Sequence, residues 1–139
     1  MLDAAPLLRG VFGFDSFRPG QSEIVEAVSA GENVLAIMPT GGGKSLCFQL
    51  PALMREGVTV VISPLIALMR DQVRALQEAG VNAGALTSGN TPEETEAVWN
   101  ALDNGDLKLL YMAPERLSTG SVTNMLRRVG VNLIAVDEA

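Results

Sequence analysis

The chain has 139 residues, a net charge of −6 and a single cysteine, and these features exclude several classes of protein. Hydrophobic residues make up 47% of it, but no apolar run approaches the roughly 18 residues of a membrane-spanning helix, so no membrane association is expected. With no histidine and only Cys47, neither a zinc site nor an internal disulfide is expected, which favours an intracellular protein, cytoplasmic or nucleoid-associated in a bacterium. The acidic balance means that any nucleic-acid contact must come from a local patch.

Short apolar runs alternate with segments that have helix start and stop signals, such as the capping box at Thr91-Pro92-Glu93-Glu94. This alternation predicts an α/β fold whose mostly parallel sheet is covered by helices on both faces. In chain order we predict helix Gln21–Ala30, strand Asn33–Met38, helix Ser45–Met54, strand Val58–Ile62, a helix from Ser63-Pro64 to Gly80, a weaker strand Ala83–Thr87, a helix from Thr91 to Asn104, strand Lys108–Met112, helix Ser121–Val129 and strand Asn132–Val136.

A glycine-rich segment between the first strand and the next helix has the composition of a phosphate-binding loop. Its residues are Met38, Pro39, Thr40, Gly41, Gly42, Gly43, Lys44 and Ser45. The glycines let consecutive backbone N–H groups point at one ligand, and the helix N-terminus adds partial positive charge. We expect Lys44 to reach the β- and γ-phosphates and the Ser45 hydroxyl to coordinate Mg²⁺. The general pattern has glycine where this chain has Met38, and an ordinary glycine-rich turn is the alternative.

An acidic pair follows the last predicted strand. Asp137 and Glu138 come directly after Asn132–Val136, at the sheet edge where ligands bind in parallel sheets. Asp137 is expected to contact Mg²⁺, and Glu138 to orient and deprotonate an attacking water. By itself such a pair is more often a solvated loop, so the assignment depends on the phosphate loop. Together the two segments predict a Mg-ATP or Mg-GTP site.

Four segments together resemble the RecQ family of superfamily-two DNA helicases, from Phe12 to the end of the chain. Phe12-Gly13-Phe14 with Phe17-Arg18-Pro19-Gly20-Gln21 resembles the family's adenine-recognition motif. The segment Met38–Leu50 is similar to its phosphate loop, which also lacks the first glycine. Val61–Val73 is similar to motif Ia, and Tyr111–Leu117 to the next motif. The resemblance implies residues 1–30 as an adenine motif with its helix, and 31–139 as part of a first RecA-like P-loop NTPase lobe, truncated after the Asp-Glu strand.

The resemblance also implies roles for single residues. Gln21 would hydrogen-bond the adenine edge, while Phe14 and Arg18 would stack on either side of the ring. The alternative for this segment is a turn before a helix with a surface arginine.

The path of single-stranded DNA would be lined by two segments, Ser63, Pro64 and Leu65, and Pro114, Glu115 and Arg116. The alternatives are that Ser63-Pro64 only caps a helix and that Arg116 pairs with a neighbouring acid. Arg70 and Arg74 are interpreted as a solvated helix face, Cys47 as a small buried side chain, and Trp99 as a packing residue.

For the intact protein the resemblance implies an ATP- and Mg²⁺-dependent helicase acting on single strands and duplex junctions with 3′-to-5′ polarity, in DNA repair and recombination. The second lobe would supply an arginine finger, so we expect this chain alone to turn over ATP poorly and to leave apolar surface uncovered. Two other classes stay open: a P-loop enzyme without a nucleic-acid function, and a binding module whose nucleotide site is degenerate.

Overall fold

The computed structural model describes residues 4–36 and 44–136 of the chain, which form two compact units. One unit lies within residues 1–56 and the other within residues 57–139. In the first unit, α1 spans Ala4–Gly10, α2 spans Gln21–Ser29 and α3 spans Leu46–Met54. Its core is a small cluster in which Leu8, Val25, Leu46 and Leu50 are buried and the aromatic residues of the α1–α2 connection pack against them.

The second unit carries a four-stranded parallel sheet. Its order is β2-β3-β1-β4, with β1 and β3 side by side near the middle. In chain order the elements are β1 Val58–Ile62, α4 Ile66–Glu78, β2 Ala83–Leu86, α5 Pro92–Asp103, β3 Leu109–Met112, a 3₁₀ helix Pro114–Ser118, α6 Gly120–Val129 and β4 Val131–Val136.

Helices cover both faces of this sheet, because neighbouring residues of a strand point to opposite sides. Leu110 of β3 is fully buried in a cluster with residues of α5 and α6, among them Leu102 and Met125. The next residue, Tyr111, points to the other face, where its hydroxyl donates to Oε1 of Gln72 in α4 at 2.8 Å. The predicted α/β fold with a parallel, doubly covered sheet is therefore confirmed.

The free edge of the sheet at β2 is capped by amide side chains. Nε2 of Gln77 donates to the Ala83 carbonyl at 2.9 Å, and Nδ2 of Asn90 donates to the Ala85 carbonyl at 2.7 Å. These carbonyls point away from β3, since the intervening Gly84 pairs with Leu110 inside the sheet. Capping them removes acceptors that another strand would need.

The carboxyl ends of all four strands are in register. Met112 at the end of β3 pairs with Ile62 on one side and with Leu86 on the other, and Ile62 also pairs with Val136. The segments that follow β1, β2 and β3 therefore leave the sheet at one edge. This register is what positions the candidate site.

Two sequence predictions differ from the structure by more than an end residue, and two elements were not predicted. The helix predicted from Ser63-Pro64 begins at Ile66, because Leu65 has an extended backbone (φ −100, ψ 91). The strand Asn33–Met38 is wrong over residues 33–36, which pair with none of the described strands, and its last two residues lie outside the described part. An apolar run forms a strand only where a partner satisfies its backbone groups. Helix α1 and the 3₁₀ helix were not predicted.

Among the described residues, no helix has both the length and the apolar character needed to span a membrane.

Candidate functional site

The structure brings the two predicted DNA-contacting segments together. Ser63 follows β1 and Pro114 lies two residues after β3, and these strands are neighbours in the sheet. The Ser63 N–H donates to the Met112 carbonyl at 3.1 Å, which continues the β1–β3 ladder one residue beyond the strands. Residues 63–65 and 114–116 are therefore adjacent at the carboxyl edge of the sheet.

The segment after β1 forms a tight turn with one buried and two exposed side chains. Ser63 is 2% exposed, and its Oγ accepts a hydrogen bond from the Leu65 N–H at 3.2 Å. Pro64 and Leu65 are exposed. Helix α4 has Leu65 at its N-cap position without a side-chain cap. Ser63 therefore stabilises the turn before the helix, and the alternative of a simple helix cap does not describe it.

The segment after β3 is a 3₁₀ helix in which Pro114 and Glu115 are exposed and Arg116 is half-buried. The Arg116 guanidinium donates from Nη2 to the backbone carbonyl of Thr87 at 3.2 Å. The partner is therefore a backbone carbonyl and not the neighbouring acid of the alternative interpretation, while the place of Arg116 on the DNA path stays a prediction. The guanidinium reaches across to the segment that follows β2.

That segment, Thr87–Asn90, is a third element of the same edge, and the sequence analysis missed it. Thr87 is 1% exposed, and its Oγ1 accepts from the Gly89 N–H at 3.2 Å and donates to Oδ1 of Asn90 at 3.0 Å. The Asn90 N–H in turn donates to the Thr87 carbonyl at 3.2 Å. From α4, Nη2 of Arg70 donates to the Gly89 carbonyl. The sequence signal was present, since Thr-Ser-Gly-Asn after a strand has the composition of a side-chain-stabilised turn.

The predicted adenine-binding residues lie around the start of α2. Gln21 is its first residue and is 3% exposed, and its Oε1 accepts from the Arg18 N–H at 2.7 Å. Phe14 and Arg18 are both exposed. The connection reaches α2 through Gly20, whose φ of 85 suits glycine. The turn thus fixes the Gln21 carboxamide and leaves an aromatic ring and a guanidinium at the surface.

Lys44 and Ser45 directly precede α3 and are half-buried. Ser45 has helical backbone angles (φ −61, ψ −34), and its side chain makes no cap hydrogen bond to the helix. A serine at this position normally caps the helix. The remaining predicted nucleotide-site residues lie outside the described part of the chain: Met38, Pro39, Thr40, Gly41, Gly42, Gly43, Asp137 and Glu138.

Residues 18–139 match the DEAD/DEAH box helicase family, which is most of the chain. The chain belongs to this family. The predicted resemblance to RecQ helicases is confirmed by relatives of that name. The "ATP-dependent DNA helicase RecQ" of Bacillus subtilis is 50% identical over 137 residues, and that of Haemophilus influenzae is 48% identical over 136 residues. Each match covers 98% of this chain but only 23% and 22% of the relative, so the chain spans about a quarter of these proteins.

Solved helicase structures share the fold of this DEAD/DEAH box helicase chain. The DUF1998 helicase MrfA bound to DNA superposes with a TM-score of 0.76 at 19% identity, over 98% of this chain and 20% of that one. Its complex with DNA and AMPPNP gives a TM-score of 0.74. The expected RecA-like architecture is confirmed.

Other residues that the sequence singled out have structural positions in the DEAD/DEAH box helicase fold. Cys47 is buried, and desolvation raises the pKa of its thiol. Trp99 packs against the larger core. The Arg74 side chain is 70% exposed and lies 4.0 Å from Asp71. These three interpretations are confirmed, whereas Arg70 is not merely a solvated residue, because it bonds Gly89.

In the described ranges, no group of three or more aspartate, glutamate, cysteine or histidine side chains is arranged to hold a metal ion.

Proposed function

We propose that the chain is the ATP-binding part of an ATP-dependent DNA helicase, whose full-length form couples ATP hydrolysis to duplex unwinding with 3′-to-5′ polarity. The observation that carries the proposal is the 50% identity, over 98% of the chain, to a relative named ATP-dependent DNA helicase RecQ. The remaining helicase domains, on the same chain, would complete the ATP site and the DNA track.

ATP would be selected through the Gln21 carboxamide. Oε1 of Gln21 accepts from the Arg18 N–H, and this carboxamide oxygen would also accept from the adenine amino group. Guanine presents a carbonyl where adenine has this amino donor, so it cannot make the same bond. Phe14 and Arg18 are exposed in the same connection and would stack on the base.

Phosphate and Mg²⁺ would be held at the start of α3. The Ser45 hydroxyl makes no helix-cap bond, which fits a role as a magnesium ligand. Lys44 would contact the β- and γ-phosphates, with Met38 to Gly43 supplying backbone N–H groups. Asp137 would complete the magnesium site and Glu138 would act on the attacking water. Bound Mg²⁺ would neutralise charge that develops on the phosphates during transfer.

Single-stranded DNA would cross the carboxyl edge of the sheet over residues 63–65 and 114–116. The support is that β1 and β3 place these segments side by side, with Pro64, Leu65, Pro114 and Glu115 exposed. A nucleic acid held mainly through its backbone requires little sequence-specific contact from such turns.

The adenine assignment is tested by comparing ATP and GTP affinity in three forms of the full-length protein. Wild type should prefer ATP. Gln21→Ala should lose most of this preference. Gln21→Glu keeps an oxygen acceptor for the Arg18 N–H and the length of the side chain, but it removes the amide donor and adds charge. Because its carboxylate can still accept from the adenine amino group, we expect Gln21→Glu to retain helix α2, as seen by amide exchange, and to keep the preference for ATP while binding both nucleotides more weakly.

Equal affinity of wild type for ATP and GTP would contradict the adenine assignment. If Gln21→Ala still preferred ATP, residues other than Gln21 would be responsible for the selection of adenine.

A further inference from the structure

Two arginines from different elements bind the loop that follows β2. Arg116, in the 3₁₀ helix after β3, donates to the Thr87 carbonyl at 3.2 Å, and Arg70, in α4, donates to the Gly89 carbonyl. The loop adds its own hydrogen bonds through the buried Thr87 hydroxyl and the Asn90 side chain. The loop is therefore held by hydrogen bonds from two other elements and by hydrogen bonds of its own side chains.

These contacts join the two segments of the proposed DNA path through a third. Arg70 lies on the helix that begins one residue after Leu65, and Arg116 lies in the second segment itself. Gln72, two residues after Arg70, also accepts the hydrogen bond of the buried Tyr111 hydroxyl at the end of β3. Hydrogen bonds thus link all three segments, with Arg70 and Arg116 both bonded to backbone carbonyls of the loop.

We infer that Arg116 is a positioning residue, which holds the turn 114–116 against the loop 87–90, and that it does not neutralise a DNA phosphate. This inference rests on the proposed function, since it concerns how the DNA path is organised. A guanidinium that is half-buried and bonded to a carbonyl has a fixed direction. Turning it toward a phosphate in solvent would break the bond that orders the loop.

The salt dependence of DNA binding distinguishes an arginine that positions the turn from one that neutralises a DNA phosphate. Each phosphate neutralised on single-stranded DNA contributes about 0.7 to the slope of log K against log salt concentration. For the full-length protein with an oligothymidylate, Arg116→Gln should weaken binding several-fold while leaving this slope at the wild-type value. A slope lowered by about 0.7 would instead show a direct phosphate contact and overturn the inference.

Arg74→Gln is the matched control. It removes the same charge from an exposed side chain on α4, which lies 4.0 Å from Asp71. We expect this variant to have the DNA affinity and the salt slope of wild type. Any change in its affinity would measure the general effect of losing one positive charge. Arg116→Lys provides the converse test, because it keeps the charge but not the forked geometry of the guanidinium. Binding fully restored by lysine while the loop stays loosened would contradict a positioning role.

Hydrogen exchange tests the loop without DNA. In the Arg116→Gln variant, the Gly89 and Asn90 amides, which donate to Thr87, should exchange faster than in wild type, and those of Arg74→Gln should not change. Unchanged exchange in Arg116→Gln would overturn the inference, as would faster exchange with wild-type DNA affinity. If wild type bound no single-stranded DNA, the proposed function would fail, and the exchange result would still decide whether Arg116 orders the loop.

Discussion

Single residues in this chain are constrained most clearly where the backbone requires glycine. Gly57, directly before β1, has φ +92, and a Cβ built on it would lie 2.5 Å from the carbonyl oxygen of Gly130. Gly80, after α4, has a similar φ of +86, but a Cβ there would meet no atom of the described residues within 4 Å. Substituting alanine at each of the two glycines therefore distinguishes the cost of backbone strain, present at both, from the cost of steric overlap, present only at Gly57.

We expect Gly80→Ala to lower the free energy of unfolding by about 1–2 kcal/mol, the cost of left-handed backbone for an L-residue. Gly57→Ala should cost more, since β1 and the end of α6 must also move apart. Denaturant unfolding of both variants measures the difference. Equal losses would show that the Gly57–Gly130 approach relaxes without cost.

The composition around Lys44 predicts a phosphate role, and the resemblance to RecQ helicases implies an adenine role for Gln21. Both stay predictions. Arg116 was assigned to the correct edge, but its bond to Thr87 joins residues 29 apart in the chain. No local pattern encodes such a contact, since it depends on β2 and β3 being neighbours in the sheet.

At the scale of elements, α5 has the most completely specified boundary. The Thr91 hydroxyl accepts from the Glu94 N–H at 3.2 Å, and the Glu94 carboxylate accepts from the Thr91 N–H at 2.9 Å. The bond from the Thr91 backbone, and then the one with its side chain, lower the pKa of Glu94 from its ordinary value of 4.5. A carboxylate whose pKa is lowered by folding stabilises the folded state above its ordinary pKa, and this contribution is lost as the pH falls through the lowered value.

We predict that Thr91→Ala lowers the free energy of unfolding by about 1 kcal/mol, as the loss of a helix cap does. Glu94→Gln keeps a side-chain acceptor for the Thr91 N–H but cannot titrate. Its stability should therefore fall less than that of wild type when the pH is lowered from 6 through about 4.5 toward the lowered pKa. Unfolding curves across this pH range measure the effect, and parallel pH profiles would contradict it.

Elements with their own end signals were predicted closely. The strand Val58–Ile62 is observed as predicted. Helices α2 and α6 differ from their predicted spans by one residue at one end, and α5 by one residue at each end. The sequence predictions failed for segments whose secondary structure depends on contact with another part of the chain. Residues 33–36 are apolar enough for a strand, yet Leu35 is 85% exposed. Helix α1 is held by the contact of Leu8 with the first unit's core, which its short sequence did not reveal.

At the scale of the whole molecule, the second unit organises a candidate DNA path on a chain of net charge −6. Broad electrostatic attraction cannot hold DNA on such a surface, so the proposed DNA contact would be concentrated where the strand ends place suitable turns. The candidate place is the sheet edge at residues 63–65, 87–90 and 114–116. The two arginines that lie there, Arg70 and Arg116, are bonded to backbone carbonyls.

We propose that the full-length protein carrying this chain is a DNA-stimulated ATPase. The most direct measurement is its rate of ATP hydrolysis with and without single-stranded DNA, for wild type and for Lys44→Ala. Wild type should be stimulated several-fold by DNA, and Lys44→Ala should lose nearly all hydrolysis, because charge-assisted bonds to phosphate contribute about 1.5–3 kcal/mol each. Hydrolysis that depends on Lys44 but is unaffected by DNA would indicate a P-loop enzyme without a nucleic-acid function. No nucleotide binding or hydrolysis in either form would contradict the account altogether.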